Sequence, residues 1–123
     1  MTTVMLVDDS ATMLMSLKMI LTKAGYGVET AADGKEALGK LTGGLRPHLI
    51  ISDLNMPQMD GISFIREARK TAGMRFIPML MLTTESDGTK RTEAKTAGAT
   101  GWLVKPVAPD QLLGVVKQVL PGA

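Results

Sequence analysis

The sequence contains no cysteine, so disulfide bonds and thiolate metal sites are excluded. Only four aromatic residues are present, one Trp, one Tyr and two Phe, which leaves little for stacking on nucleic-acid bases. No long apolar run occurs either, because the apolar stretch Val4–Val7 is interrupted at once by Asp8 and Asp9. A signal-peptide core and a membrane span are therefore not predicted, and we expect a cytoplasmic protein.

The composition is that of one ordinary globular domain. The chain has 123 residues, of which 45% are hydrophobic and 21% are charged, enough for a single sizeable core. The formal net charge is +2, but the basic residues are scattered along the chain. We interpret them as a solvated surface and expect no nucleic-acid partner.

Apolar, β-prone runs alternate with segments of helical spacing along the whole chain. We predict strands at Val4–Val7, Tyr26–Thr30, Leu49–Ile51, Pro78–Leu82 and Gly101–Val104. We predict helices over Met13–Leu21, Gly34–Leu41, Ile62–Thr71, Glu85–Ala97 and Pro109–Leu120. Five such units with short links indicate an α/β fold, a doubly wound five-stranded parallel sheet with five helices. The strand order 2-1-3-4-5 is adopted by analogy with flavodoxin-like sheets and does not follow from the residues themselves.

The predicted helix Glu85–Ala97 is weak by composition. It contains Gly88 and three threonines, and almost nothing strongly apolar. Glycine costs about 1 kcal/mol relative to alanine in a helix interior, and each threonine costs several tenths. Two interpretations stay open: an ordinary exposed helix, or an element kept marginal so that it can shift.

Polar residues follow four of the predicted strands where each strand ends. Asp8 and Asp9 follow the first strand, Asp53 the third, Thr83 the fourth and Lys105 the fifth. Because the carboxyl ends of parallel strands share one edge, we expect these side chains to converge there. Taken singly, the aspartates could equally cap the helices that follow them. The joint occurrence at four strand ends favours a site.

The residue types at these strand ends suit phosphoryl transfer. Three carboxylates in one small volume raise one another's pKa, and a hard divalent cation such as Mg²⁺ relieves their repulsion. The ammonium of Lys105 is a second source of positive charge, and Thr83 adds a hydroxyl donor. A carboxylate nucleophile, a metal, a cation and a donor fit a reaction in which catalysis is mainly positioning and charge neutralisation.

Four blocks resemble the signature of the response-regulator receiver domain. They are VDDS at 7–10, SDLNMPQMDG at 52–61, MLTTES at 81–86 and GWLVKP at 101–106. The resemblance spans essentially the whole chain, and we expect residues 1–123 to form a single receiver domain. Among receivers, the chain is most similar to the stand-alone chemotaxis type, the CheY type.

The resemblance implies that Asp53 accepts a phosphoryl group from a phosphohistidine on a CheA-type histidine kinase. Lys105 and Thr83 would contact the phosphoryl oxygens. The protein would then be a phosphoacceptor signalling domain, not a conventional enzyme, and a monomer without nucleic-acid or membrane partners.

The resemblance also implies Mg²⁺ as the cofactor. Asp9, Asp53 and the backbone carbonyl of Asn55 would bind the ion directly, with Asp8 acting through water. Family members commonly have a cis peptide bond at the position of Lys105–Pro106, which the residue types alone do not predict.

For the output, the resemblance implies that Thr83 moves toward the phosphoryl group and an aromatic side chain on the fifth strand turns inward. That aromatic position is Trp102, where the family more often has Tyr or Phe; a fixed, partly buried indole is the alternative. Output would follow through the segment Ser86–Ala97, the fifth strand and the last helix, to the flagellar motor switch or another protein. The alternatives are a phosphate sink for the kinase and a Mg²⁺-dependent phosphohydrolase.

Several positions depart from the family or have weak local signals. Thr84 is β-branched where many relatives have Ala or Gly, and Asn55 and Glu85 flank the expected path of attacking water. Ala108 precedes the last helix without a capping side chain. His48, before the third strand, is predicted to be a surface residue with no phosphorelay role.

Overall fold

The computed structural model describes residues 2–84 and 88–120. The strands are β1 (Thr3–Val7), β2 (Gly27–Ala31), β3 (Leu49–Asp53), β4 (Met79–Thr83) and β5 (Gly101–Val104). The helices are α1 (Ala11–Lys23), α2 (Gly34–Thr42), α3 (Gly61–Arg69), α4 (Gly88–Ala97) and α5 (Pro109–Val119). Strands and helices alternate strictly, as the hydrophobic pattern predicts.

The five strands form one parallel sheet in the order β2-β1-β3-β4-β5. This confirms the predicted doubly wound fold and its strand order. The order of strands reverses direction between β1 and β3, so these two strands are neighbours although they are not consecutive in sequence. In sheets of this kind the crevice at that reversal, beyond the carboxyl ends of the strands, is where ligands bind.

Each face of the sheet packs against its own helices. Side chains alternate between faces along a strand, so Met5 and Val7 join one core cluster and Val4 and Leu6 the other. Leu17 and Leu21 of α1, with Leu112 and Val116 of α5, cover the second face. The first face is covered by α2, α3 and α4, through Ala37, Leu41, Ile62, Phe64, Ile65, Ala68, Ala94 and Ala97. Burial on both faces explains why the central strands are apolar throughout.

The weak helix forms, with α4 described from Gly88 to Ala97. Its buried side chains are Ala94 and Ala97, so its packing against the sheet rests on small residues. The hydroxyl of Thr92 donates to the carbonyl oxygen of Gly88 at 2.9 Å. Residues 85–87, where we predict the helix to begin, lie outside the described residues.

Element boundaries differ from the predictions by one or two residues. β2 and β4 each begin and end one residue later than predicted, and α3 ends at Arg69 instead of Thr71. The predicted absence of a side-chain cap at Ala108 is confirmed. Within the described ranges, no helix is both long and apolar enough to cross a membrane.

Candidate functional site at the carboxyl edge of the sheet

The predicted strand-end residues meet at one edge of the sheet. Asp53 and Thr83 are the last residues of β3 and β4, and Lys105 comes directly after β5. The register pairs Asp53 with Leu82, immediately before Thr83, and pairs Thr83 with Val104, immediately before Lys105. These neighbouring strands therefore deliver their polar side chains to one small region.

Asp53 is buried more deeply than its position at a strand end suggests. It ends β3 next to a loop, yet only 6% of the residue is exposed. The adjacent Asp8 is 2% exposed and Thr83 is fully buried, whereas Asp9 is exposed. Asp8 and Asp53 are thus both buried, and Asp9 is the solvent-exposed member of the three aspartates.

Lys105 ties two of the carboxylates together. Its Nζ donates to Oδ1 of Asp53 at 3.0 Å and to Oδ2 of Asp8 at 3.4 Å. The lysine side chain is itself only 16% exposed, so little solvent screens these pairs. Lys105 is separated from Asp8 by 97 positions, and only the strand order brings them together.

The electrostatics of the site are those of an incompletely neutralised acidic pocket. Burial raises the pKa of the Asp53 carboxyl above its ordinary value of 3.8. The hydrogen bond from Lys105 lowers that pKa, while the charges of Asp8 and Asp9 raise it. Burial alone would lower the pKa of Lys105, but the hydrogen bond and charge of Asp53 raise it, with a further contribution from Asp8. Lys105 therefore stays protonated and offsets only part of the negative charge.

The three carboxylates fit a hard divalent cation. Asp8, Asp9 and Asp53 each offer a carboxylate oxygen, and these oxygens lie within 4.8 Å of one another. Oxygen ligands from one or two carboxylates, with water completing the shell, are what Mg²⁺ takes in phosphoryl-transfer sites. Asn55, the other predicted ligand, lies two residues beyond Asp53 in the loop after β3, with an exposed side chain.

The alternative interpretation of these aspartates as helix caps does not hold. α1 is capped by Ser10, whose Oγ accepts from the amide of Met13 at 3.2 Å. The cap of α3 is Asp60, whose carboxylate accepts from the amide of Ser63 at 2.7 Å. Asp53 does not cap a helix, and neither Asp8 nor Asp9 is the N-cap of α1.

The loop after β3 returns to the strand through a close backbone contact that sequence reasoning missed. The amide of Gly61 donates to the carbonyl of Leu54 at 2.8 Å. A Cβ at Gly61 would lie 2.3 Å from the carbonyl oxygen of Asp53 and 3.0 Å from Cα of Leu54. Only glycine fits there, and the one sign of this in the sequence is the glycine itself at position 61.

Trp102 lies on the same face of the sheet as Thr83. Its register partner on β4 is Met81, two residues before Thr83, and side chains two residues apart share a face. The indole is half-buried and packs against the α2–α3–α4 core cluster. The guanidinium of Arg91, on α4, lies over the ring with Cζ 5.6 Å from its centroid. Nothing in the sequence singled out Arg91.

Arg69 fixes the far end of α4, a role that sequence reasoning also missed. Its guanidinium donates to the carbonyl of Gly98, just past α4, through Nη2 at 2.7 Å and Nε at 3.1 Å. The same guanidinium donates through Nη1 to the carbonyls of Met74, Arg75 and Ile77. Arg69 thus joins α3, the loop before β4 and the end of α4.

The remaining predicted positions are not part of the carboxylate group. Thr84 is exposed directly after β4, and Glu85 falls outside the described residues. His48 is exposed, as predicted, and its Nδ1 accepts from the amide of Thr3 at 3.0 Å at the amino end of the sheet. His48 is therefore at the opposite end of the sheet from the carboxylates.

The model of the response regulator receiver domain matches residues 4–117. The chain belongs to the response regulator receiver family. Chemotaxis protein CheY1 of Helicobacter pylori is 35% identical over 117 residues, covering 94% of each chain. The strand order and the strand-end aspartates thus occur in a receiver domain of CheY type.

Solved structures agree with this assignment. Chemotaxis protein CheY4 of Vibrio cholerae superposes with a TM-score of 0.93 at 48% identity, covering 97% of this chain and 98% of that one. The receiver domain of sensor histidine kinase PA1611 of Pseudomonas aeruginosa, with magnesium in its active-site cleft, superposes at 0.88 and 27% identity, covering 97% of each chain. The peptide bond Lys105–Pro106 of this receiver domain is cis, as the resemblance implied.

Proposed function

We propose that this receiver domain is a phosphoryl-accepting signalling protein and that Asp53 is the phosphoacceptor. The observation that supports this most is the position of the Asp53 carboxylate, 3.0 Å from Nζ of Lys105 and grouped with the carboxylates of Asp8 and Asp9. A buried carboxylate held by a cation is a preorganised nucleophile. Phosphoryl transfer depends largely on such positioning and on charge neutralisation.

The donor would be a phosphohistidine on a CheA-type histidine kinase. An oxygen of the Asp53 carboxylate attacks phosphorus, and an acyl phosphate forms as the phosphorus–nitrogen bond to the imidazole breaks. The imidazole nitrogen keeps the electron pair of that bond and takes up a proton. Lys105 stays within reach of the phosphoryl oxygens and neutralises part of their charge. The hydroxyl of Thr83, at the end of the neighbouring strand, is proposed to donate a hydrogen bond to one of these oxygens.

Magnesium is the proposed cofactor. Asp9, Asp53 and the backbone carbonyl of Asn55 would hold it directly, and Asp8 through water. When bound, it supplies neutralisation of the carboxylate and phosphoryl charges. The proposal is supported by the grouping of the three carboxylate oxygens within 4.8 Å and by the magnesium reported in the related Pseudomonas aeruginosa receiver domain.

The output is proposed to be protein binding. Phosphorylation would draw Thr83 toward the phosphoryl group and allow Trp102 to turn into the space behind it, and the change would reach a partner through Ser86–Ala97, β5 and α5. Residues 86 and 87 of that segment lie outside the described residues. The likeness to chemotaxis proteins CheY1 and CheY4 favours the flagellar motor switch as the target. We further propose that the protein acts in the cytoplasm as a monomer.

Transfer from a radiolabelled, autophosphorylated CheA-type kinase tests the phosphoacceptor. We expect label on the wild type in the presence of Mg²⁺, none on Asp53→Asn, and undiminished label on Asp60→Asn. Asp60 is the matched control because it is an exposed aspartate that caps α3 outside the carboxylate group. Equal labelling of Asp53→Asn and the wild type would refute the assignment.

Two further measurements separate this function from its rivals. Repeated turnover of p-nitrophenyl phosphate would indicate a phosphohydrolase, whereas one phosphoryl group retained per chain indicates the signalling domain. Phosphorylation-dependent capture of purified flagellar motor switch protein would establish an effector. Rapid drainage of the kinase without any such capture would indicate a phosphate sink.

A further inference from the structure

The contact between Arg91 and Trp102 joins α4 to β5 through a cation and an aromatic ring. The guanidinium carbon is 5.6 Å from the centroid of the indole, within the range of a cation–π interaction. Arg91 is exposed on α4, and the indole is half-buried on β5. An attraction of this kind favours the ring position in which the two groups meet.

The ring also borders open space. A cavity of about 250 Å³ lies between α4 and β5, lined by residues that include Arg91, Ala94, Lys95, Ala99, Thr100 and Trp102. The side chains that α4 buries are only alanines, Ala94 and Ala97, so the helix presents little bulk beside the indole. The indole therefore borders open space on its α4 side, and the contact with Arg91 connects the ring to α4 across it.

We propose that Arg91 is a positioning residue for Trp102, which holds the indole in its unphosphorylated position and so raises the threshold for switching. This inference rests on the proposed function, in which the ring moves on phosphorylation. A contact made in only one of two states shifts the equilibrium by its own free energy. An exposed cation–π contact corresponds to a shift of roughly two- to fivefold.

The threshold is tested with beryllofluoride as the phosphoryl analogue. The signal is the fluorescence emission of Trp102, the only tryptophan in the sequence. Emission is titrated in saturating Mg²⁺ for the wild type, Arg91→Gln, Arg91→Lys and Lys95→Gln. We expect the midpoint of Arg91→Gln to fall by about two- to fivefold, with Arg91→Lys in between because it keeps the charge. Lys95→Gln is the matched control, since it removes one positive charge from the same cavity, and we expect the wild-type midpoint. Equal midpoints for Arg91→Gln and Lys95→Gln would overturn the proposal.

The resting contact is tested without any analogue. In unliganded wild-type protein we expect nuclear Overhauser effects between the Arg91 side-chain methylenes and the indole protons. Their absence would overturn the inference whatever the titrations show. A wild type that binds beryllofluoride at Asp53 without a change in emission would equally refute it. A wild type that binds no beryllofluoride at all would refute the proposed function instead, and with it the claim about a threshold.

Discussion

Replacing Gly61 with alanine is expected to damage both stability and the site, because the added methyl group meets backbone. A Cβ at this position would lie 2.3 Å from the carbonyl oxygen of Asp53, 3.0 Å from Cα of Leu54 and 2.8 Å from Sδ of Met81. The methionine can rotate away, but the two backbone atoms can move only with the end of β3. Overpacking of this kind costs about 1–3 kcal/mol. Because the displaced backbone belongs to Asp53, Mg²⁺ binding should weaken as well.

Gly39 and Gly114 provide matched controls for this substitution. They lie in the interiors of α2 and α5, and a Cβ at either would meet nothing within 4 Å. Alanine there should stabilise the protein by about 0.5–1 kcal/mol through helix propensity. Urea unfolding followed by circular dichroism gives the free energy of unfolding, and calorimetric titration gives the Mg²⁺ affinity. If Gly61→Ala has the free energy of unfolding and the Mg²⁺ affinity of the wild type, the backbone of Gly61 does not approach Asp53 as closely as described.

Three further substitutions test the charges and donors described above. Because folding raises the pKa of Asp53, its ionised form weakens the fold above that pKa. Asp53→Asn should therefore raise the free energy of unfolding at pH 7 without Mg²⁺, in urea unfolding, and the gain should shrink as the pH falls through that pKa toward 3.8. Lys105→Met leaves the carboxylates of Asp8 and Asp53 without their cation. It should lower the free energy of unfolding by about 3 kcal/mol without Mg²⁺, and adding the ion should restore part of that loss. Arg69→Met removes the donor shared by the carbonyls of Gly98 and the loop before β4, and should cost about 1.5–3 kcal/mol in urea unfolding.

Each of these predictions has an outcome that contradicts it. A gain in the free energy of unfolding of Asp53→Asn that does not change with pH would mean that burial does not raise the pKa of the wild-type carboxyl. A Lys105→Met protein with the wild-type free energy of unfolding would show that solvent already screens the charges of the two carboxylates. For Arg69, protection of the Gly98 region in hydrogen exchange should fall together with global stability; unchanged protection would argue against its role at the end of α4.

The fold and the composition of the site followed from the sequence for a simple reason. Apolar, β-prone runs indicate which segments are strands, and parallel strands place all their carboxyl ends at one edge. Asp8, Asp53 and Lys105 could therefore be grouped before any distance was known, although the strand order itself was borrowed by analogy. The resemblance to receiver domains, and not the residue pattern, supplied the cis bond at Lys105–Pro106.

The features that sequence reasoning missed depend on contacts between segments far apart in the chain. Arg69 and Gly98 are 29 positions apart, and a lone arginine at the end of a helix gives no sign that its acceptors are carbonyls. The burial of Asp53 also depends on its neighbours, since β3 extends two residues further than its apolar run. In the same way, the ring partner of Trp102 depends on how α4 lies against β5.

Arg69 also anchors one end of α4. Its guanidinium pins the helix at Gly98, whereas the other end, at Gly88, is only a few residues along the chain from Thr83. A helix of ten residues is about 15 Å long. A tilt of α4 about Arg69 would therefore displace the Gly88 end most, because that end is farther from the anchor, and this end follows β4 at the carboxyl edge of the sheet.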